Sequence, residues 1–157
     1  MGNPTPPRRG HAALRRGRVS LPNQVYLVTF TTHQRRPLFS DPDCAMSMAR
    51  ASIDRRLWAS SELLAWVLMP DHWHGLLALG ESDYLPSLAQ KLKCNTARHV
   101  RQSDSGIARV WAPAYHDRAL RADEQLVDAA RYVVMNPVRA GLVRRVGDYP
   151  YWDAVWL

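Results

Sequence analysis

The sequence predicts an α+β protein of the ferredoxin-like, split βαβ type: an antiparallel sheet of four to five strands, helices on one face, and an additional C-terminal helix. Three observations predict it. Apolar runs rich in β-branched and aromatic residues alternate with stretches of helical spacing in the order strand, helix, strand, strand, helix, strand, helix. The two middle strands are separated only by Pro70-Asp71, which calls for a tight antiparallel hairpin. With 157 residues, 46% of them apolar and 22% charged, the chain has the length and composition of one well-buried core.

The elements follow in order. Residues 1–22 combine Pro4, Pro6, Pro7 and Pro22 with arginines and no apolar period, and are expected to form a flexible arm ahead of one domain over 23–157. In 24–32 the run Val-Tyr-Leu-Val-Thr-Phe-Thr-Thr reads as a strand buried on both faces. After Ser40-Asp41-Pro42-Asp43, helical spacing of Met46, Ala49, Ile53 and Leu57 predicts a helix to about Trp58. Two strands, 63–69 and 72–79, flank Pro70-Asp71. Leu85, Leu88, Leu92 and Thr96 then predict an amphipathic helix to about Arg101, with Lys91, Asn95, Arg98 and Arg101 along another side. Residues 110–120 read as a fourth strand, at an edge or bulge because of Pro113. A last helix capped by Asp123 would bury Leu126, Val127, Ala130, Val133 and Val134. Tyr149, Tyr151, Trp152 and Trp156 make the C-terminal segment too aromatic to remain free in water, so it should dock on the body.

The net charge is +7, but Arg8, Arg9, Arg15, Arg16 and Arg18 in the arm account for most of it: 21 bases less these 5 leaves 16 against 14 acids. A polyanionic partner must therefore be argued from local patches and the arm together. Lys91 and Lys93 are the only lysines, a bias that suits planar phosphate recognition and that GC-rich coding would equally produce. Cys44 and Cys94 have no CxxC spacing and read as reduced thiols of a cytoplasmic protein. No stretch reaches the length of a membrane span, so no membrane partner is expected.

His72 and His74 lie two apart on a predicted strand, where alternation sends both imidazoles to one face and Trp73 to the other. Such a pair can hold a divalent ion while leaving positions open to substrate. Taken alone, a His-x-His pair is more often engaged in ordinary hydrogen bonding. On the last helix Tyr132 and Asn136 are four apart and away from the apolar stripe. Pro137 should bend or end the helix at Asn136. Two readings stand side by side: a boundary tyrosine with an Asn cap, or a nucleophile with a ligand beside it. Tyr115, among Trp111, His116, Asp117 and Arg118, is the rival nucleophile.

The segments Val25-Tyr26-Leu27-Val28-Thr29-Phe30, Met69-Pro70-Asp71-His72-Trp73-His74-Gly75, Trp111 to Arg121 and Arg131-Tyr132-Val133-Val134-Met135-Asn136-Pro137-Val138 occur in that order. In this the chain resembles the REP-associated tyrosine transposases, a branch of the single-tyrosine HUH transposases, over about residues 23–153. The resemblance implies a ferredoxin-like nuclease that holds Mg²⁺ or Mn²⁺ on His72 and His74, with Tyr132 as nucleophile and Asn136 as third ligand. Insertion-sequence relatives usually have Gln at that last position. It further implies a 5′-phosphotyrosine intermediate and a single-stranded DNA partner carrying short palindromic hairpins. A bacterial cytoplasmic protein, nucleoid-associated when bound to DNA and either monomeric or homodimeric, is the corresponding expectation. Lys91, Arg98 and Arg101, together with Arg118 and Arg121 and the arm, are the expected DNA contacts. Two other classes compete: a non-catalytic nucleic-acid-binding regulator of the same fold, and a phosphoester hydrolase drawing on Asp71 and Asp117.

Overall fold

The computed structural model describes residues 24–121 and 123–156; the expected arm over 1–22 lies outside them. Five strands, β1 (Val25–Thr31), β2 (Glu62–Met69), β3 (His72–Ala78), β4 (His116–Ala119) and β5 (Trp152–Ala154), form one sheet in the order β4-β1-β3-β2-β5. Every neighbouring pair is antiparallel. The helices are α1 (Pro42–Ser52), α2 (Leu85–Ser103), α3 (Leu126–Val134) and α4 (Asn136–Arg139).

The sheet carries a hydrophobic layer on each side. α1 and α2 pack with Val28, Phe30, Trp73, Leu77 and Tyr115 on one face. α3 packs with Leu27, Val67, Met69 and Leu76 on the other. Each fully buried Leu, Val or Phe of these layers contributes roughly 1.5–3 kcal/mol of hydrophobic stabilisation. The period of two along β3 feeds both layers, since Trp73 and Leu77 enter the first and Leu76 the second.

Local chemistry sets the boundaries. Asp41 caps α1 by accepting from the backbone N–H groups of Asp43 (2.9 Å) and Cys44 (3.0 Å), with Pro42 in the first turn. α1 ends at Ser52, short of Trp58, and its buried face is Ala45, Met48, Ala49 and Ser52, so Met46 and Ile53 of the expected stripe point to solvent. Apart from Met48 that buried face is made of small residues, and apolar size alone misplaces it. β4 covers only His116–Ala119 instead of 110–120. Pro113 has no N–H for a ladder, and the chain before it makes a single bridge, Thr32 to Trp111. α3 starts at Leu126 with Gln125 at the cap; Asp123 faces Arg121 (3.8 Å) instead, and Leu126 is exposed.

The aromatic C-terminal segment docks along β2, as its composition predicts. The Tyr149 hydroxyl donates to the Leu68 carbonyl and the Leu68 N–H to Tyr151. Among the described residues no helix is long and apolar enough to cross a membrane.

Candidate active site

The two-residue Pro70-Asp71 turn aligns Met69 with His72, so His72 begins β3 at the rim of the sheet. Both turn carbonyls are held: Pro70 accepts from the Phe39 N–H (3.0 Å), and Asp71 from the Thr32 N–H (2.9 Å) and hydroxyl (3.1 Å). The hairpin tip is thereby fixed to the segment after β1. In that segment Gln34 and Arg35 both adopt a left-handed φ of 56°, and the Arg35 guanidinium lies 3.5 Å from Asp71.

Trp73 enters the layer of α1 and α2, stacked on Phe30 at 5.2 Å, while His72 and His74 face the α3 side. Gly75 is explained by the same strand. The Trp73 indole lies across it, and a Cβ there would collide with the ring.

Each imidazole is tethered through Nδ1. His72 Nδ1 is 2.8 Å from the Asp71 carboxylate, which only accepts, so Nδ1 carries a proton and a neutral ring has its lone pair on Nε2. His74 Nδ1 is 2.7 Å from the Thr29 hydroxyl. With Nδ1–H donating there, Nε2 presents a lone pair as well, and this atom is buried without a hydrogen-bond partner. Burial, followed by the positive fields of His72, Arg139 and Arg118, pushes His74 down to a pKa of about 4. It is a neutral imidazole at physiological pH. Nδ1 held by a carboxylate or hydroxyl with Nε2 bare is the arrangement of metal-binding histidines, so this pair fits a divalent cation.

Tyr132 projects from α3 with 55% of its surface exposed, its ring centroid 6.2 Å from that of His74 at 62°. The helix breaks just beyond it. Pro137 lacks the N–H that would reach the Val133 carbonyl, and the Asn136 side-chain amide substitutes at 3.2 Å. Met135, not Asn136, is thus the C-cap residue of α3, while the Asn136 side chain serves the freed carbonyl, which leaves Oδ1 as the only atom of that amide suited to a cation. Among the described residues no group of three or more His, Cys, Asp or Glu could hold a metal. A site built from His72 and His74 would thus draw any third protein ligand from another residue type.

The remaining candidates separate across the sheet. Tyr115 is buried against Phe30 (5.9 Å, edge-on), in the layer behind the histidines. Asp117 pairs with Val28, whose side chain belongs to that same rear layer. Lys91, Arg98 and Arg101 are on α2, also on the rear side; Arg98 bonds Asn95 (2.9 Å) and Arg101 the Ala108 carbonyl (3.4 Å). Arg118 pairs with Leu27 and so lies on the histidine side, where it and Arg121 share Glu124 at 2.6 and 3.5 Å. Hydrogen bonds from Arg118 and then from the Arg121 backbone lower the Glu124 pKa.

Two residues of the site were not among the candidates. Thr29, which orients His74, is 45 positions away in sequence and is found only through strand register. Arg139 stacks on the Tyr132 ring at 4.2 Å, and its spacing of seven, two helical turns, was the available signal.

The chain that folds into this sheet, with two histidines facing a helix-borne tyrosine, is of the transposase class. The family model described as "Transposase IS200 like" matches residues 20–134, and the chain belongs to that family. Within it, the curated relatives are REP-associated tyrosine transposases, as the sequence motifs imply. One from Escherichia coli K12 is 29% identical over 90 residues, 57% of this chain and 52% of the relative. A provisionally named one from Haemophilus influenzae is 32% identical over 103 residues, 57% of each chain. The chain thus spans a little over half the length of the curated relatives it matches. A solved REP-associated tyrosine transposase bound to a REP hairpin superposes with a TM-score of 0.68 at 24% identity, covering 86% of this chain and 79% of that one.

Proposed function

We propose that this chain is a metal-dependent single-stranded DNA nickase and strand transferase that acts beside hairpin-forming palindromic repeats, with Tyr132 as nucleophile. The observation that carries the reading is the meeting of two imidazoles, each tethered through Nδ1, and an exposed tyrosine whose ring lies 6.2 Å from that of His74. His72 and His74 would hold Mg²⁺ or Mn²⁺, with Asn136 Oδ1 as third ligand. Such an ion, when bound, supplies charge compensation for the scissile phosphate.

The protein's own groups do the rest. Asp71 and Thr29 fix the two rings, so no rotamer freedom is lost when the site fills. Tyr132 Oη forms a bond to phosphorus as the bond to the 3′ oxygen breaks. The phenol proton passes to solvent, and the departing oxygen takes one up to become a 3′-hydroxyl. The phosphodiester bond is conserved as a 5′-phosphotyrosine, and attack by a 3′-hydroxyl reverses the step without a nucleotide cofactor.

Hairpin DNA is the partner by analogy with the structural relative, which is bound to a REP hairpin. Arg118 and Arg121 on the histidine side would meet phosphates near the cut. Lys91, Arg98 and Arg101 would serve DNA that wraps behind the sheet. The test is incubation with end-labelled hairpin oligonucleotides in Mn²⁺ and analysis on a denaturing gel. A covalent adduct that disappears in Tyr132→Phe and His72→Ala is expected. Binding without an adduct under any metal would support the non-catalytic regulator instead.

A further inference from the structure

Arg139 has no part in the scheme above, yet it is the residue most closely applied to Tyr132. Its guanidinium carbon lies 4.2 Å from the centroid of the phenol ring, and one terminal nitrogen donates to the Tyr132 carbonyl at 2.7 Å. The ring is thus covered on one side by Arg139 and met by the His74 imidazole, two contacts that set its direction although more than half of the side chain is exposed.

The backbone is built to deliver this cation. α3 stops at Val134, Met135 links it to α4, and Pro137 sits in the first turn of α4. Gly141, at a φ of +74°, ends α4 through bonds from Gly141 to Val138 (3.0 Å) and from Leu142 to Pro137 (2.9 Å). The short helix has its own start and stop, and its one basic side chain lands on Tyr132. An arginine merely capping a helix end would need the carbonyl contact alone. The placement of the guanidinium over the Tyr132 ring is additional.

We propose that Arg139 is the positioning residue of Tyr132, holding its ring toward His74 so that the phenol oxygen is directed at a strand bound there. The proposal rests on the cleavage reading given above. The guanidinium meets the ring through Cζ and the carbonyl through a separate nitrogen, whereas an ammonium would have to serve both contacts with one nitrogen, so Arg139→Lys is expected to fall well short of the wild type, as Arg139→Gln does.

Two measurements on the full chain test this. In single-turnover cleavage of saturating hairpin oligonucleotide, both variants are expected to lose about 10- to 100-fold in rate, with hairpin affinity by fluorescence anisotropy unchanged within about twofold. Full recovery by Arg139→Lys would overturn the proposal in favour of a simple charge, and a loss confined to affinity would overturn it in favour of a DNA contact. The second readout is independent of activity: the ¹⁹F resonance of 3-fluorotyrosine at position 132, assigned by loss in Tyr132→Phe. Both Arg139 variants should move it toward the position of a freely rotating ring. An unmoved resonance overturns the proposal even if the wild type proves inactive, while a moved resonance with no cleavage in the wild type upholds the contact and refutes the cleavage reading.

Discussion

The two faces of this sheet are built from the same strands and differ in almost every physical respect. Behind β3, Trp73, Phe30 and Tyr115 pack under α1 and α2 with ring centroids 5.2 and 5.9 Å apart, and the aromatic rings there are closed off from solvent. In front, α3 leaves the rim open, and His72, His74, Thr29 and Tyr132 remain polar neighbours. The contrast teaches how a small protein combines rigidity with a reactive surface. Because alternate residues of a strand are fixed together, a fully buried tryptophan between two histidines anchors both of them. The rear layer supplies the precision that the front layer uses.

The sharpest way to break the comparison is to exchange the two tyrosines' fates. Tyr132→Phe is expected to reduce covalent adduct formation by at least about three orders of magnitude while leaving hairpin binding intact. Tyr115→Phe, which leaves the buried ring in place, should keep the adduct and change stability by no more than about 1 kcal/mol. Adducts that survive in the first and vanish in the second, on one denaturing gel, would show that the faces have been assigned the wrong way round.

A second pair sharpens the role of the front face. Thr29→Val keeps the shape of the side chain and removes the oxygen that tethers His74. Mn²⁺ affinity by calorimetry should weaken roughly 10- to 100-fold, the usual cost of losing a partner of a ligating histidine. Phe30→Leu, one residue along and facing the rear, should destabilise the fold while weakening that affinity far less than Thr29→Val does. Equal metal binding in Thr29→Val and wild type would mean that the tether does not prepare the ring.

A third substitution probes how the rear layer supports the front. Gly75→Ala would push a methyl group into the Trp73 indole and is expected to cost about 1–3 kcal/mol by overpacking, read as a lower urea midpoint. A midpoint equal to that of the wild type would show that the indole moves freely and that the rear face is not a rigid support for the histidines.

What was legible in the sequence follows the same division. Local signals carried far: the Pro70-Asp71 hairpin, the alternation of His72, Trp73 and His74, and the spacing of Tyr132, Asn136 and Pro137 each depend on fewer than eight consecutive residues. Contacts made by long-range pairing were not legible. Thr29 meets His74 across 45 residues, and nothing local marks it. The basic side of α2 was readable as a helix face, but its position behind the sheet depends on which layer α2 joins, which periodicity does not encode. The rotation of α1 is not legible because its buried face consists mainly of alanine and serine around Met48, and size-based patterning gives weight to Met46 and Ile53.

The smallest expected effect concerns the strap that carries the C-terminal aromatics past β2. Tyr149 and Tyr151 lie edge-on at 5.9 Å, one packed toward the front layer and the other toward the rear, so this segment joins the two faces at the sheet's edge. Tyr149 donates to the Leu68 carbonyl, and burial, with a smaller contribution from Tyr151, pushes its pKa from 10 up to about 12. The folded state therefore keeps this proton when the unfolded chain releases it. The contribution is fully present below pH 10 and is lost as pH rises from 10 toward 12. Tyr149→Phe should cost about 1 kcal/mol at neutral pH for the lost hydrogen bond, and its urea midpoint should fall less steeply than the wild type's between pH 10 and 12. Parallel midpoint curves would mean that the strap's hydroxyl is not held in solution and that the two faces are joined at this edge by apolar packing alone.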